Sequence, residues 1–132
     1  MEGILGVDIG GTNIKFWLQE EGLIIRECKE VKNLTKQKLL EEIQLFCKKT
    51  KRKIESIGIS ISGIIEKNVV EECYHRPDLV GLSEKNIKEF GFKQVEFVND
   101  GNAMASYAAK TYQSDNVVAI AAGTRNCLWN YK

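Results

Sequence analysis

From Gly3 to Ile9 the chain is almost wholly apolar and stops at Gly10-Gly11, the pattern of a buried strand closed by a turn. Asn13 to Gln19 and Leu23 to Val31 read as two further strands, joined by the turn residues Glu20-Glu21-Gly22. Three strands so connected predict an antiparallel meander. Thr35 is a fair N-cap for a helix to about Lys49, whose apolar stripe is Leu39, Ile43 and Phe46 with Leu40 and Cys47 alongside. Ile54 to Ser62 is a strand carrying Ile54, Ile57, Ile59 and Ile61. Residues 66–82 show no period and hold Pro77, so they are expected to be irregular. Ser83 caps a short helix to Phe90, and Val95 to Val98 is a short buried strand. Asp100 to Tyr112 predicts a helix rich in small residues, and Val117 to Ala122 a last strand ending at Gly123-Thr124. The order β-β-β-α-β-α-β-α-β implies an α/β domain, a mixed sheet with helices on both faces.

With 132 residues the chain is one domain, and its net charge of +1 offers no general attraction for nucleic acid or a membrane. The basic run Lys48-Lys49-Thr50-Lys51-Arg52-Lys53 falls at a predicted helix end, where cations suit the dipole. Cys28, Cys47, Cys73 and Cys127 are scattered without a C-x-x-C pair, and His75 is the single histidine. That spacing predicts no zinc site and no disulfide framework. The start, Met1-Glu2-Gly3, has no leader pattern, and no apolar run approaches the ~18 residues of a membrane span. A cytoplasmic protein with reduced thiols is expected.

Three stretches carry candidate chemistry. In "VDIGGTNIKFWL" (residues 7–18) an aspartate, two glycines, a threonine and an asparagine meet at a strand end. Glycines with positive φ would let backbone N–H groups close on a phosphate, Thr12 and Asn13 add donors, and Asp8 is placed to hold magnesium through water. A strand follows, not a helix, which excludes both the P-loop and the dinucleotide-binding turn. In "VEFVNDGNAMASYAA" (residues 95–109) Asn99 and Asp100 fall where a strand passes into a helix. The dipole there favours an ionised Asp100, either as a proton acceptor for an attacking hydroxyl or as a helix cap. In "SIGISISGIIE" (residues 56–66), Ser62-Gly63 ends a strand and either lines a pocket or makes a plain turn.

Together, Asp8-x-Gly10-Gly11-Thr12-Asn13, Gly58-x-Ser60-x-Ser62-Gly63 and Asn99-Asp100-x-Asn102-Ala103 resemble the ROK family of sugar kinases and repressors, within the actin-like ATPase (ribonuclease-H-like) superfamily. The family commonly has proline where this chain has Ser62. The resemblance spans residues 3–124 and implies the N-terminal lobe, residues 1–124, of a two-lobed kinase that phosphorylates a sugar hydroxyl with ATP and Mg2+. It implies that Gly10, Gly11, Thr12, Asn13, Lys15, Gly123 and Thr124 face the ATP phosphates, and that Asp8 faces the metal. Ser62, Gly63, Asn99 and Asp100 would hold the sugar, with Asp100 as base. The family's second lobe, with its zinc cysteines and further sugar ligands, has no counterpart here. The chain is therefore expected to be an inactive single lobe. The alternatives are a non-catalytic sugar- or phosphate-binding relic that pairs with a second copy, and a fragment of a family regulator.

Residues 125–132 break the resemblance. After "VVAIAAGT" the family pattern leads to G-T-G-I-x-x-G-I-I, whereas the chain reads Arg125-Asn126-Cys127-Leu128-Trp129-Asn130-Tyr131-Lys132. Removing one base at the Thr124/Arg125 junction, with Arg125 coded AGG, restores glycine followed by isoleucine or threonine. Trp129 (TGG) before Asn130 then yields the second glycine. The tail is thus expected to be frameshifted. Sequencing the coding DNA beyond Lys132 should show an open frame for a second lobe, and its absence removes this expectation.

Overall fold

The computed structural model describes residues 3–113, 117–121 and 127–131. Along the chain run β1 (Gly3–Ile9), β2 (Asn13–Glu20), β3 (Leu23–Glu30), α1 (Lys36–Thr50), β4 (Ile54–Ile61), β5 (Ile64–Glu66) and β6 (Val69–Glu72). A 3-10 turn at Pro77–Leu79, α2 (Glu84–Lys88), β7 (Gln94–Asn99), α3 (Asp100–Tyr112), β8 (Val117–Ala121) and β9 (Cys127–Tyr131) follow. Five strands form one mixed sheet in the order β3-β2-β1-β4-β7. The predicted meander is its antiparallel half, while β1, β4 and β7 run parallel.

Strict alternation in β1 and β2 explains which face is buried. Leu5, Val7 and Ile9 of β1 and Ile14, Phe16 and Leu18 of β2 point one way, joined by Ile57, Ile59 and Ile61 of β4 and Val95 and Phe97 of β7. Against them pack Leu39, Ile43 and Phe46 of α1 and Ile87 of α2. Phe16 and Phe46 stack with ring centroids 4.9 Å apart. Thr35 Oγ1 accepts from the Lys38 N–H at 3.1 Å, so the predicted N-cap is formed. Of the small residues of α3, Ala105 and Ala109 are buried and lie outside the main cluster, on a helix that meets β4, β7 and the β8–β9 pair.

Two expectations are corrected. Residues 66–82 are not wholly irregular, because Val69–Glu72 folds back on Ile64–Glu66 as a hairpin. Lys67 and Asn68 both adopt left-handed φ (50° and 60°) at its turn, a conformation the residue pattern did not announce. The strand expected to be the last, β8, does not join the five-stranded sheet among the described residues. It pairs antiparallel with β9, so residues 127–131 of the odd tail are strand. No helix among the described residues is long and apolar enough to cross a membrane.

Glu42 sits at the edge of the core, almost wholly buried, between Lys29 Nζ at 2.8 Å and Lys38 Nζ at 3.2 Å. Burial pushes its pKa up, but hydrogen bonds and attraction from both ammonium groups outweigh this and hold the carboxyl below its ordinary value. A carboxyl depressed in the folded state adds stability above its unfolded pKa, and that stability is lost as pH falls through the folded value. Glu42→Gln should cost about 1–3 kcal/mol at pH 7 in urea unfolding. The gap to wild type should narrow below about pH 4; a gap unchanged in acid would discard the ionic account.

Candidate active site

Parallel register brings three chain ends together. Ile9, Ile61 and Asn99 stand side by side, so Gly10, Ser62 and Asp100 emerge at one edge of the sheet. Ligands of parallel α/β sheets bind at such carboxyl ends. One row earlier Asp8 lies beside Ser60 on β4 and opposite Lys15 on β2. The side chains of Asp8, Thr12, Asn13 and Lys15 are exposed and make no hydrogen bond or ion pair to another described residue.

The turn between β1 and β2 is a tight hairpin. The Gly10 N–H donates to the Asn13 carbonyl at 2.9 Å, and the Thr12 carbonyl accepts from the Val31 N–H at 3.0 Å. Neither Gly10 nor Gly11 adopts positive φ; among the described residues the glycines that do are Gly22, Gly81 and Gly91. The expected reason is thus replaced by close approach at Gly10, whereas at Gly11 a side chain would make only ordinary contact. A Cβ on Gly10 would lie 3.3 Å from the Asn13 oxygen, and one on Gly11 would touch the His75 ring at 3.6 Å.

His75 belongs to a strap whose part sequence reasoning missed. Arg76, buried in the same strap, donates from Nε to the Gly10 carbonyl at 2.9 Å and so ties residues 73–77 to the hairpin. The signal was available only indirectly: a histidine and an arginine directly precede the sole proline, in a stretch without periodicity.

Asn99, not Asp100, caps α3. Its Oδ1 accepts from the N–H groups of Gly101 (2.9 Å) and Asn102 (3.3 Å), while Nδ2 donates to the Gly63 carbonyl at 2.6 Å. Gly63 is held at a point where a Cβ would overlap the Glu72 carbonyl. Asp100 is therefore relieved of capping, although its Oδ1 accepts from the Gly101 N–H at 2.8 Å. Burial raises the Asp100 pKa, and the neighbouring Asp8 carboxylate raises it further; the Gly101 hydrogen bond and His75 pull the other way. The helix-end argument points downward, but desolvation wins and the net direction is up.

Two cavities flank the hairpin. One, of about 660 Å3, lies on the sheet face opposite the core and is lined by Asp8, Lys15, Ser60, Trp17 and Arg26 among others. The other, of about 520 Å3, is lined by Gly11, Thr12 and the His75–Asp78 strap. The expected phosphate contacts thus divide, Asp8 and Lys15 to one side and Gly11 and Thr12 to the other. Gly123 and Thr124 lie outside the described residues. Among the described residues no three or more His, Cys, Asp or Glu side chains gather as a metal cage.

A tight hairpin after the first strand, a mixed sheet opened by a meander and an aspartate at the third parallel strand end make an actin-like α/β fold. The family model for the ROK family matches residues 4–125, and the chain belongs to the ROK family. A ROK family protein from Streptococcus pneumoniae in complex with sucrose superposes with TM-score 0.80 at 21% identity, over 98% of this chain and 45% of that one. A ROK glucokinase from Streptomyces griseus, bound to glucose and AMPPNP, gives 0.74 at 24% identity over 98% and 44%. A ROK transcriptional regulator homologous to the E. coli MLC protein gives 0.82 at 21% identity over 98% and 36%. The chain therefore spans less than half the length of these structures. No curated protein matches it.

A carboxyl raised in the folded state binds its proton more tightly there than in the unfolded chain, so stability falls as pH rises through its titration. Asp100→Asn keeps the Oδ1 acceptor and removes the charge. It should melt above wild type at pH 7 and level with it in acid. A lower Tm at neutral pH would contradict the burial and Asp8 repulsion described above.

Proposed function

We propose that this lobe serves ATP-dependent phosphorylation of a sugar hydroxyl, and that the observation supporting it most directly is Asp100 set free for chemistry by Asn99. In this reading Asp100 accepts the proton of the sugar hydroxyl as its oxygen forms a bond to the γ-phosphorus, while the bond to ADP breaks. A carboxylate raised by burial and by Asp8 is a better proton acceptor than an exposed one. Asn99, Ser62 and Gly63 border the sugar. The Asn99–Gly63 hydrogen bond fixes the rim against which a hydroxyl must be oriented, and orientation supplies much of the rate in such transfers.

On the nucleotide side Gly11, Thr12, Asn13 and Lys15 supply donors and charge while Gly10 shapes the turn they stand on, with Gly123 and Thr124 assigned to the facing turn by resemblance. Asp8 fits a magnesium ion: it is exposed, carries no ion pair to a described residue and belongs to no cluster of three or more ligating side chains among the described residues, as suits an ion that keeps most of its water. When bound, that ion would neutralise charge on the phosphates.

Because the matched structures are about twice as long, we assign turnover to the lobe in company with the remainder of that fold, where closure excludes water. The lobe alone is then a binding partner for sugar and nucleotide in a cytoplasmic setting. The regulator shares the same fold, so fold alone does not separate the two roles. The two neighbouring carboxylates, Asp8 and Asp100, favour catalysis.

In a gene product carrying both lobes, Asp100→Asn should lower kcat about 10²–10⁴-fold in a coupled ADP-release assay. The KM for ATP should stay near wild type. Equal turnover in the variant would end the assignment of Asp100 as base.

A further inference from the structure

The strap that crosses the hairpin is pinned at two points and displays side chains between them. Cys73 is buried at the first. At the second, Arg76 donates from Nε to the Gly10 carbonyl at 2.9 Å, and its own carbonyl accepts from the Leu79 N–H at 3.0 Å. Pro77 follows directly and fixes its φ. Between the pins, Tyr74 and His75 are exposed. The His75 Cβ and Cγ lie 3.6 Å, and Nδ1 3.7 Å, from the point where a Cβ on Gly11 would stand, so the imidazole lies against the tip of the turn. Tyr74 meets its ring edge to face, with centroids 5.2 Å apart. Burial raises the Asp100 pKa, and His75 stands near enough to pull it partly back down. The ring thus touches the turn on one side and neighbours the aspartate on another. Its nitrogens have no hydrogen-bond or ion-pair partner among the described residues.

An imidazole offers one N–H donor when neutral and two when protonated, so it can donate in either state. A group passing from the turn to a hydroxyl held at Asp100 must travel past it. The carboxylates on that path, Asp8 and Asp100, repel phosphoryl oxygens, and a donor there offsets the repulsion. We propose that His75 is a further catalytic residue, which donates a ring N–H to an oxygen of the terminal phosphate, the group in transit. This role rests on the phosphoryl-transfer reading and adds to it a residue from outside the three sequence motifs. The sugar oxygen forms its bond to phosphorus, the bond to ADP breaks, and the hydroxyl proton goes to Asp100. His75 makes no covalent bond and keeps its own protons. Its hydrogen bond tightens as charge spreads over the phosphoryl oxygens, and the pinned strap holds the donor in place beforehand. ADP lacks the terminal phosphate and so lacks this contact.

His75 is the single histidine of the 132-residue chain, so its ring gives one unambiguous set of NMR signals. Mg-ATP should shift those signals saturably, in step with the Gly11 and Thr12 amides. Mg-ADP should shift the amides and leave the ring nearly unmoved. His75→Phe keeps a ring against Gly11 and Tyr74 and removes the donor. It should bind Mg-ATP about fivefold more weakly, as the loss of one hydrogen bond implies, and Mg-ADP as before. Its Tm should match wild type, because the ring is exposed and makes no hydrogen bond to a described residue. Amides that respond to Mg-ATP beside a silent ring would overturn the role of His75 and leave the phosphate turn standing. So would a ring that moves equally with Mg-ADP, or a variant that binds Mg-ATP unchanged. Silence of amides and ring together would remove the phosphate reading itself, and His75 with it.

Discussion

β1 pairs antiparallel with β2 on one side and parallel with β4 on the other, and this double pairing limits what its carboxyl end can become. An antiparallel neighbour joined directly in sequence requires a short turn, so no helix can begin where β1 ends. The parallel neighbours, β4 and β7, deliver their own ends to the same edge. The hairpin turn, Ser62-Gly63 and Asp100 are brought together by strand register alone. Each comes from a different part of the chain, and each would be displaced by a slip of one residue in any pairing.

Two side-chain ties then turn this edge into a rigid frame. Arg76 joins the strap to the hairpin through Gly10, and Asn99 joins the start of α3 to the end of β4 through Gly63. Both ties use long-range side-chain-to-backbone hydrogen bonds, which hold loops that no sheet ladder reaches. Asn99 also satisfies two N–H groups at the helix start, so a single amide serves local capping and tertiary assembly together. Its neighbour Asp100 has no such duty and sits half-buried near Asp8, in an environment that opposes its charge.

The parts of this arrangement that repeat were legible in the sequence. The apolar run of residues 3–9 and the stretch Asn13 to Gln19 gave β1 and β2, though not that only one face of each is buried, and the spacing of Leu39, Ile43 and Phe46 gave α1. The Asp8-to-Asn13 and Asn99-Asp100 motifs fell at strand ends, as strand lengths required. What escaped was what only tertiary contact creates. Lys67 and Asn68 turn a hairpin with two left-handed residues that carry no glycine signal. The division of labour between Asn99 and Asp100 depends on where the Gly63 carbonyl lies, 36 residues upstream. The Arg76 bond to Gly10 spans 66 positions and has no period to betray it. The burial that raises Asp100 likewise comes from packing and outweighs the helix-end effect read from the motif.

Gly63 and Asp100 lie within a few residues' reach of one amide, yet selection sees them differently. At Gly63 every replacement inserts a Cβ into the backbone of Glu72 and Cys73, so the position answers to folding whatever the protein does. On the proposed reading Asp100 answers to chemistry, and by its half-buried charge it works against folding. In lineages descended from this chain the two codons therefore drift as separate clocks. On the proposed reading, a lineage that keeps glycine at 63 while its aspartate at 100 wanders would be retained for its shape, and one that keeps both would be retained for its reaction.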